Sequence, residues 1–142
     1  KRQDKSLSED IISMFEYFSL FEEKNDGPAA VIFGDGNIIG DPEGVAIYKT
    51  SDTEGYIILS SQGGNEFNLY DRKSLDFVSK FKINSVEDTD GLDVTNEAVQ
   101  GIFPKGFLVV QDGRNLPSNQ NFKLVSMEEV LKKKLSAPGL SN

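Results

Sequence analysis

From residue 41 onward, apolar and polar positions alternate in short runs bounded by Gly, Asp, Asn and Ser. A period of two broken by turn formers predicts strands over Val45–Lys49, Tyr56–Ser60, Glu66–Asp71 and Phe77–Ile83. The links Ser51-Asp52-Thr53-Glu54-Gly55, Gln62-Gly63-Gly64-Asn65 and Arg72–Leu75 are short, so these strands should form an antiparallel meander. Leu92–Thr95, Phe107–Gln111 and Asn121–Val125 predict a second set. Ser126-Met127-Glu128-Glu129 has the spacing of a capping box and predicts a short helix through Leu135, ended by Ala137-Pro138-Gly139. Upstream, the pattern admits two readings. Leu7, Ile11, Phe15 and Phe18 fall on one helical face, with Ser6 and Glu9 as a capping box, whereas the aromatic-rich Met14–Leu20 also reads as a strand. Asn25-Asp26-Gly27-Pro28 predicts a turn, Ala30–Phe33 a short strand, and Gly34-Asp35-Gly36-Asn37 a hairpin-type turn. The aromatics Phe67, Tyr70, Phe77, Phe81, Phe107 and Phe122 take core positions in this scheme.

The two strand sets repeat one another. Asp41-Pro42-Glu43-Gly44 is echoed 47 positions later by Asp88-Thr89-Asp90-Gly91. Gly55-Tyr56-Ile57-Ile58-Leu59-Ser60-Ser61-Gln62-Gly63 returns in outline as Gly106-Phe107-Leu108-Val109-Val110-Gln111-Asp112-Gly113, and Phe67-Asn68-Leu69-Tyr70 as Phe122-Lys123-Leu124-Val125. A repeat of about 50 residues built from short strands is the mark of propeller blades. The expected fold is therefore all-β: a β-propeller of four-stranded antiparallel blades with a short C-terminal helix. The chain divides into residues 1–40 as part of a blade and a connecting strand, 41–86 as one blade, 87–126 as the next, and 127–136 as the helix. Propellers close with about four to eight blades, and about two and a half to three are read here. The chain is thus expected to be one partial propeller domain, either the C-terminal part of a longer protein or a piece that pairs with the missing blades.

Composition narrows the chemistry. With 142 residues and 37% hydrophobic content the chain is long enough for a real core, and it has no apolar run of the roughly 18 residues that a membrane helix needs. There are 23 acidic against 15 basic residues, a net charge of −8, and no basic stripe, so neither nucleic acid nor a membrane is an expected partner. Cysteine and histidine are absent, which closes thiolate and Ser-His-Asp catalysis, phosphohistidine chemistry and His- or Cys-ligated metals. What remains is carboxylate chemistry. Oxygen-rich sites of this kind suit hard cations, above all calcium.

Two acidic phrases are candidates for such a site. Asp41 and Glu43 are two positions apart, and in an extended segment they project to the same side, within reach of one cation. Asp88, Asp90 and Asp93 crowd three carboxylates into six residues, with Glu87 just before them. Like charges this close call for a cation between them. The EF-hand reading fails, because no Glu stands at the twelfth position and no helices flank the loop. Both phrases also read as solvated acidic turns. Gln62-Gly63-Gly64-Asn65 and Gln111-Asp112-Gly113-Arg114-Asn115 stand at matched strand ends, where their side-chain oxygens can ligate calcium or hold a phosphate-bound water; plain hairpin chemistry accounts for them as well. Lys132-Lys133-Lys134 reads as the solvated face of the last helix.

Taken in order, Asp-Pro-Glu-Gly-Val-Ala-Ile-Tyr, Gly-Tyr-Ile-Ile-Leu-Ser-Ser-Gln-Gly, Asp-Thr-Asp-Gly-Leu-Asp-Val and Val-Val-Gln-Asp-Gly-Arg-Asn followed by Asn-Gln-Asn-Phe-Lys-Leu-Val resemble the C-terminal portion of the β-propeller phytases. These are calcium-dependent enzymes that release phosphate from phytate. The likeness covers residues 41–126, and Ser8-Glu9-Asp10 followed by Met14-Phe15-Glu16-Tyr17-Phe18 is similar to a further strand-end phrase of the family. The resemblance implies six blades around a channel with a calcium-holding mouth. It implies that Asp41 and Glu43 are active-site calcium ligands, that Gln62 is an active-site glutamine and that Asp90 faces the site. Glu9 would be a further ligand, and Asp112 and Asn115 would belong to a structural calcium region; Asp88 and Asp93 join the metal candidates through the acidic phrase. There are departures: one Thr-Asp-Gly phrase stands where the family often has two, and Arg114 replaces a frequently acidic ligand. The family's phosphate-binding Lys and Arg lie on earlier blades. The implied activity is phosphomonoester hydrolysis by a calcium-bound water, with Gln62 orienting water or phosphate, in a secreted or periplasmic protein. The alternatives are an inactive propeller fragment and a calcium-stabilised binding or scaffold module.

Overall fold

A computed structural model describes residues 31–34 and 36–135. Strands β1 (Pro42–Lys49), β2 (Gly55–Ser61), β3 (Glu66–Asp71) and β4 (Phe77–Phe81) form one antiparallel sheet in the order β1-β2-β3-β4. Strands β5 (Leu92–Thr95), β6 (Phe107–Asp112) and β7 (Asn121–Ser126) form a second, in the order β5-β6-β7. Helix α1 (Met127–Leu135) follows β7 directly, with Glu128 and Glu129 in its first turn. Among the described residues, the expected all-β architecture with a short C-terminal helix is what the structure shows. The first sheet is the predicted four-strand meander. Among the described residues the second sheet has three strands, and α1 packs against β4, β6 and β7.

The burial pattern explains the sequence pattern. Along β1 buried and exposed residues alternate strictly, so Pro42, Gly44, Ala46 and Tyr48 face inward while Glu43, Val45, Ile47 and Lys49 form an outward row. β2 and β3 are buried on both faces, which is why Ile57-Ile58-Leu59 reads as an unbroken apolar run. One face joins a large core of Tyr48, Ile58, Phe67, Leu69, Phe81, Val86, Leu108, Val110, Met127 and Val130, which lies between the sheets and under α1. The opposite face packs Ile57, Leu59 and Tyr70 against Phe33, Ile38 and Leu75. Burying one such side chain contributes about 1.5–3 kcal/mol, so the double-sided core is the main source of stability.

Three expectations need correction. Val31–Phe33 form no strand; the segment instead lies across the first sheet, with the Phe33 ring edge-on to Tyr70 at 5.3 Å. Phe77 and Phe122 are not core residues, being 40% and 72% exposed. Phe122 and Leu124 share one face of β7 by the period of two, and no described element covers that face. The readings for residues 1–30, including the helix-or-strand choice at Leu7–Phe21 and the candidate ligand Glu9, lie outside the described residues, as does Asp35.

Candidate active site

The starts of β1 and β5 and the ends of β2 and β6 meet at one end of the two sheets. Ser61 fixes the approach to β1: its hydroxyl accepts from the Ile39 amide at 2.7 Å and donates to the Ile39 carbonyl at 2.9 Å. Gly40 (φ 73°) and Gly63 then stand backbone against backbone, where a Cβ on Gly40 would come within 2.9 Å of the Gly63 main chain. No other residue allows this approach. It sets Asp41 beside the 3₁₀ turn over Gln62–Gly64, and the Gln62 amide donates to the Asp41 carbonyl at 3.1 Å. A shift in register between Pro42 and Val45 follows, and the buried Ser60 hydroxyl takes the Gly44 amide at 2.7 Å. Asp41 and Glu43 are both exposed, one on each side of the buried Pro42.

The second acidic phrase is held from three directions. The Gln62 side-chain amide donates to Asp90 Oδ1 at 2.8 Å, crossing from one sheet to the loop that opens the other. The Asp90 amide donates to Gln111 Oε1 at 3.2 Å, the buried Thr89 hydroxyl donates to the Gln111 carbonyl at 2.9 Å, and the Gln111 amide donates to the Gly91 carbonyl at 3.0 Å. The Asp88 amide donates to Asn65 Oδ1 at 3.0 Å, with Asn65 (φ 48°) and Asp88 (φ 50°) both left-handed. The Gly44 backbone lies against Gly91 and Leu92, close enough that a Cβ there would sit 3.0 Å from the Leu92 amide nitrogen.

The structure thus brings Gln62 and Asp90 into direct contact and places Asp41 next to Gln62 through the backbone. Glu43 lies one residue from the Gly44 contact. Asp93 is exposed on β5 and accepts from the Val94 amide at 2.8 Å. Asp112 and Asn115 belong to a different place, a cleft of about 200 Å³ lined by Ser85, Glu87, Asp112, Arg114, Asn115 and Leu116. There Asp112 is buried and its Oδ1 accepts from the Glu87 amide at 3.2 Å. Of the residues that hold the acidic loop, Asn65 and Gln111 stand in the turns read from the sequence as possible ligands and are found bracing the loop through their side-chain oxygens, whereas Thr89 was not assigned a role. The signal for Gln111 was present, since it occupies the place of Gln62 in the doubled phrase.

The acidic side chains fall into two electrostatic classes. Among the described residues, Asp41, Glu43, Asp88, Asp90 and Asp93 have no Lys or Arg within ion-pair distance, whereas Glu87 and Asp112 each have one. The first class offers exposed oxygen donors with uncompensated charge, the donor chemistry of a hard cation. No group of three carboxylates among the described residues is gathered closely enough to hold a metal unaided.

The chain is 37% identical over 105 residues to a 3-phytase of Bacillus subtilis (strain 168), an alignment covering 66% of this chain and 28% of that enzyme. It is 42% identical over 64 residues to a ferredoxin-dependent glutamate synthase of Antithamnion sp., covering 42% of this chain and 4% of that protein. The chain therefore spans under a third of the length of the 3-phytase it matches. A family model described as Phytase matches residues 9–141, which takes in both sheets, the acidic loop and α1, and the chain belongs to the phytase family.

Proposed function

We propose that this chain supplies part of the active site of a calcium-dependent phytase, hydrolysing phosphomonoesters of phytate. The observation that carries the reading is the Gln62–Asp90 hydrogen bond, which joins the ends of two successive sheets into one acidic edge. Membership of the phytase family supports the substrate class. In this reading residues 41–86 and 87–126 are consecutive blades of a six-bladed ring, and residues 1–40 belong to the preceding blade. Earlier blades of the same protein complete the channel and bring the cationic groups that bind phosphate. The protein works outside the cytoplasm, secreted or periplasmic.

Asp41, Glu43 and Asp90 are the residues that would hold calcium, with Asp88 and Glu9 as further candidates. Bound there, calcium would offset phosphate charge and acidify a water for attack on phosphorus. The chain's own contribution is positional. Gln62 spends one amide hydrogen on Asp90 Oδ1, which fixes that carboxylate and leaves the Gln62 carbonyl oxygen and the second amide hydrogen for water or a phosphate oxygen. The Thr89–Gln111 contacts hold the Asp90 backbone so that the carboxylate does not swing away.

The test is phosphate release from phytate by the full-length protein, with calcium and with chelator. Calcium-dependent release, lost in Asp41→Ala, is expected. No release with calcium present would sink the phytase reading. Release that persists undiminished in Asp41→Ala would favour a calcium-stabilised scaffold role for this part of the protein.

A further inference from the structure

The resemblance to phytases assigns Asp112 and Asn115 to a structural calcium region, and the cleft that contains them argues otherwise. Asp112 is a buried carboxylate, 2% exposed, and its Oδ2 makes no hydrogen bond. A buried charge of this kind needs a partner. Lys123, reaching in from β7, provides it: Nζ lies 3.3 Å from Asp112 Oδ2 and donates to Asn115 Oδ1 at 3.3 Å. The Nζ–Oδ2 contact is ionic rather than a directed hydrogen bond. The ammonium thus stands between the two oxygens that a metal ion would need. The other carboxylate of the cleft, Glu87, faces Arg114, whose Nε is 4.0 Å from Glu87 Oε2. Two carboxylates meet two resident cations, and the cleft carries no surplus negative charge. Asn115 is held further by donating from Nδ2 to the Asn119 carbonyl at 2.7 Å.

We infer that the Glu87–Asp112–Asn115 cleft is closed by the chain's own Lys123 and Arg114 and takes no calcium in this protein. A divalent ion would have to displace the ammonium from its two oxygens and sit beside a guanidinium of like sign. The uncompensated carboxylates at the Asp41–Asp90 edge present neither obstacle. The inference does not rest on the phytase reading, because it concerns metal content and not turnover.

The experiment counts calcium bound per chain in the full-length protein, by metal analysis after equilibrium dialysis and without substrate. Asp112→Asn and, separately, Asn115→Ser should leave the count unchanged. Asn115→Ser changes a loop side chain and carries the same test should Asp112→Asn fail to fold. Arg114→Glu combined with Lys123→Gln should raise the count by one, since it removes both resident cations and adds a ligand. Loss of one calcium in either single variant overturns the inference, and so does an unchanged count in the folded double variant.

Discussion

Gly113→Ala offers a quantitative test of how the acidic loop is anchored. A Cβ at Gly113 would collide with the Asp88 carbonyl oxygen and lie 3.2 Å from the Asp88 carbonyl carbon, and both are backbone atoms that cannot rotate aside. Relief requires the loop over residues 87–90 to move off the end of β6 by on the order of 1 Å. Two hydrogen bonds span that gap, Gly113 amide to Glu87 carbonyl at 2.9 Å and Glu87 amide to Asp112 Oδ1 at 3.2 Å, and a third that the same movement strains ties the Asp88 amide to Asn65 Oδ1 in the β2–β3 turn at 3.0 Å. At about 1 kcal/mol each, more where the buried Asp112 loses a donor, the loss is about 2–4 kcal/mol. With a urea slope of about 2 kcal/mol/M, the unfolding midpoint of the protein should fall by about 1–2 M. Gly91→Ala is the internal control, in the same loop: its Cβ meets nothing within 4 Å and its φ is not left-handed. It should hold or raise stability by about 0.4–1 kcal/mol. Equal midpoints for the two variants would refute the described approach of Gly113 to Asp88.

Other consequences are testable in the same protein. Ser60→Ala leaves the buried Gly44 amide without its acceptor and should cost about 1–3 kcal/mol in urea unfolding; an unchanged midpoint would show that the bond at 2.7 Å is dispensable. Gln62→Ala and Asp90→Ala should both slow phosphate release, and a double-mutant cycle should return a coupling of about 1 kcal/mol, whereas strict additivity would deny that the two act together. Burial, followed by the neighbouring Tyr56, holds the Tyr48 phenol above its usual range. The folded state then keeps this proton more tightly than the unfolded chain. Its contribution is complete below about pH 10 and is lost as pH rises through the raised folded value. Tyr48→Phe should flatten the alkaline limb of the stability–pH curve, at the expense of the hydrogen bond to the Lys105 carbonyl at 2.9 Å, and an unaltered limb would count against the burial argument.

The strands were legible because their causes are local. Alternation along Pro42–Lys49 reflects one inward face, and Gly, Asn and Asp mark links too short for anything but antiparallel neighbours. Candidate site residues were legible as residue types at repeated strand ends, and the structure brings two of them, Gln62 and Asp90, into hydrogen-bond contact. What spacing could not reveal is which cation, if any, each carboxylate already owns. Asp112 and Asp90 look alike in sequence, yet one is buried beside Lys123 and the other is exposed beside a neutral amide. Exposure of Phe122 was equally hidden, because an aromatic in a strand carries no mark of whether its face is covered. The loop braces Thr89, Gln111 and Asn65 act through long-range contacts that no short window of sequence contains.

The bond from Gln62 to Asp90 has a consequence for rearranging the chain. Each repeat contributes one half of the contact, so neither repeat excised or grafted alone carries the pair. Moving the chain ends into the exposed Ser51–Glu54 turn would cut within one sheet, far from this edge, and leave both halves in register. Opening the backbone at Asn84 or Ser85 would instead sever the tether between the halves and leave their alignment to non-covalent packing alone. Permuted or shuffled descendants should therefore tolerate breaks inside a repeat and lose function when breaks fall between repeats.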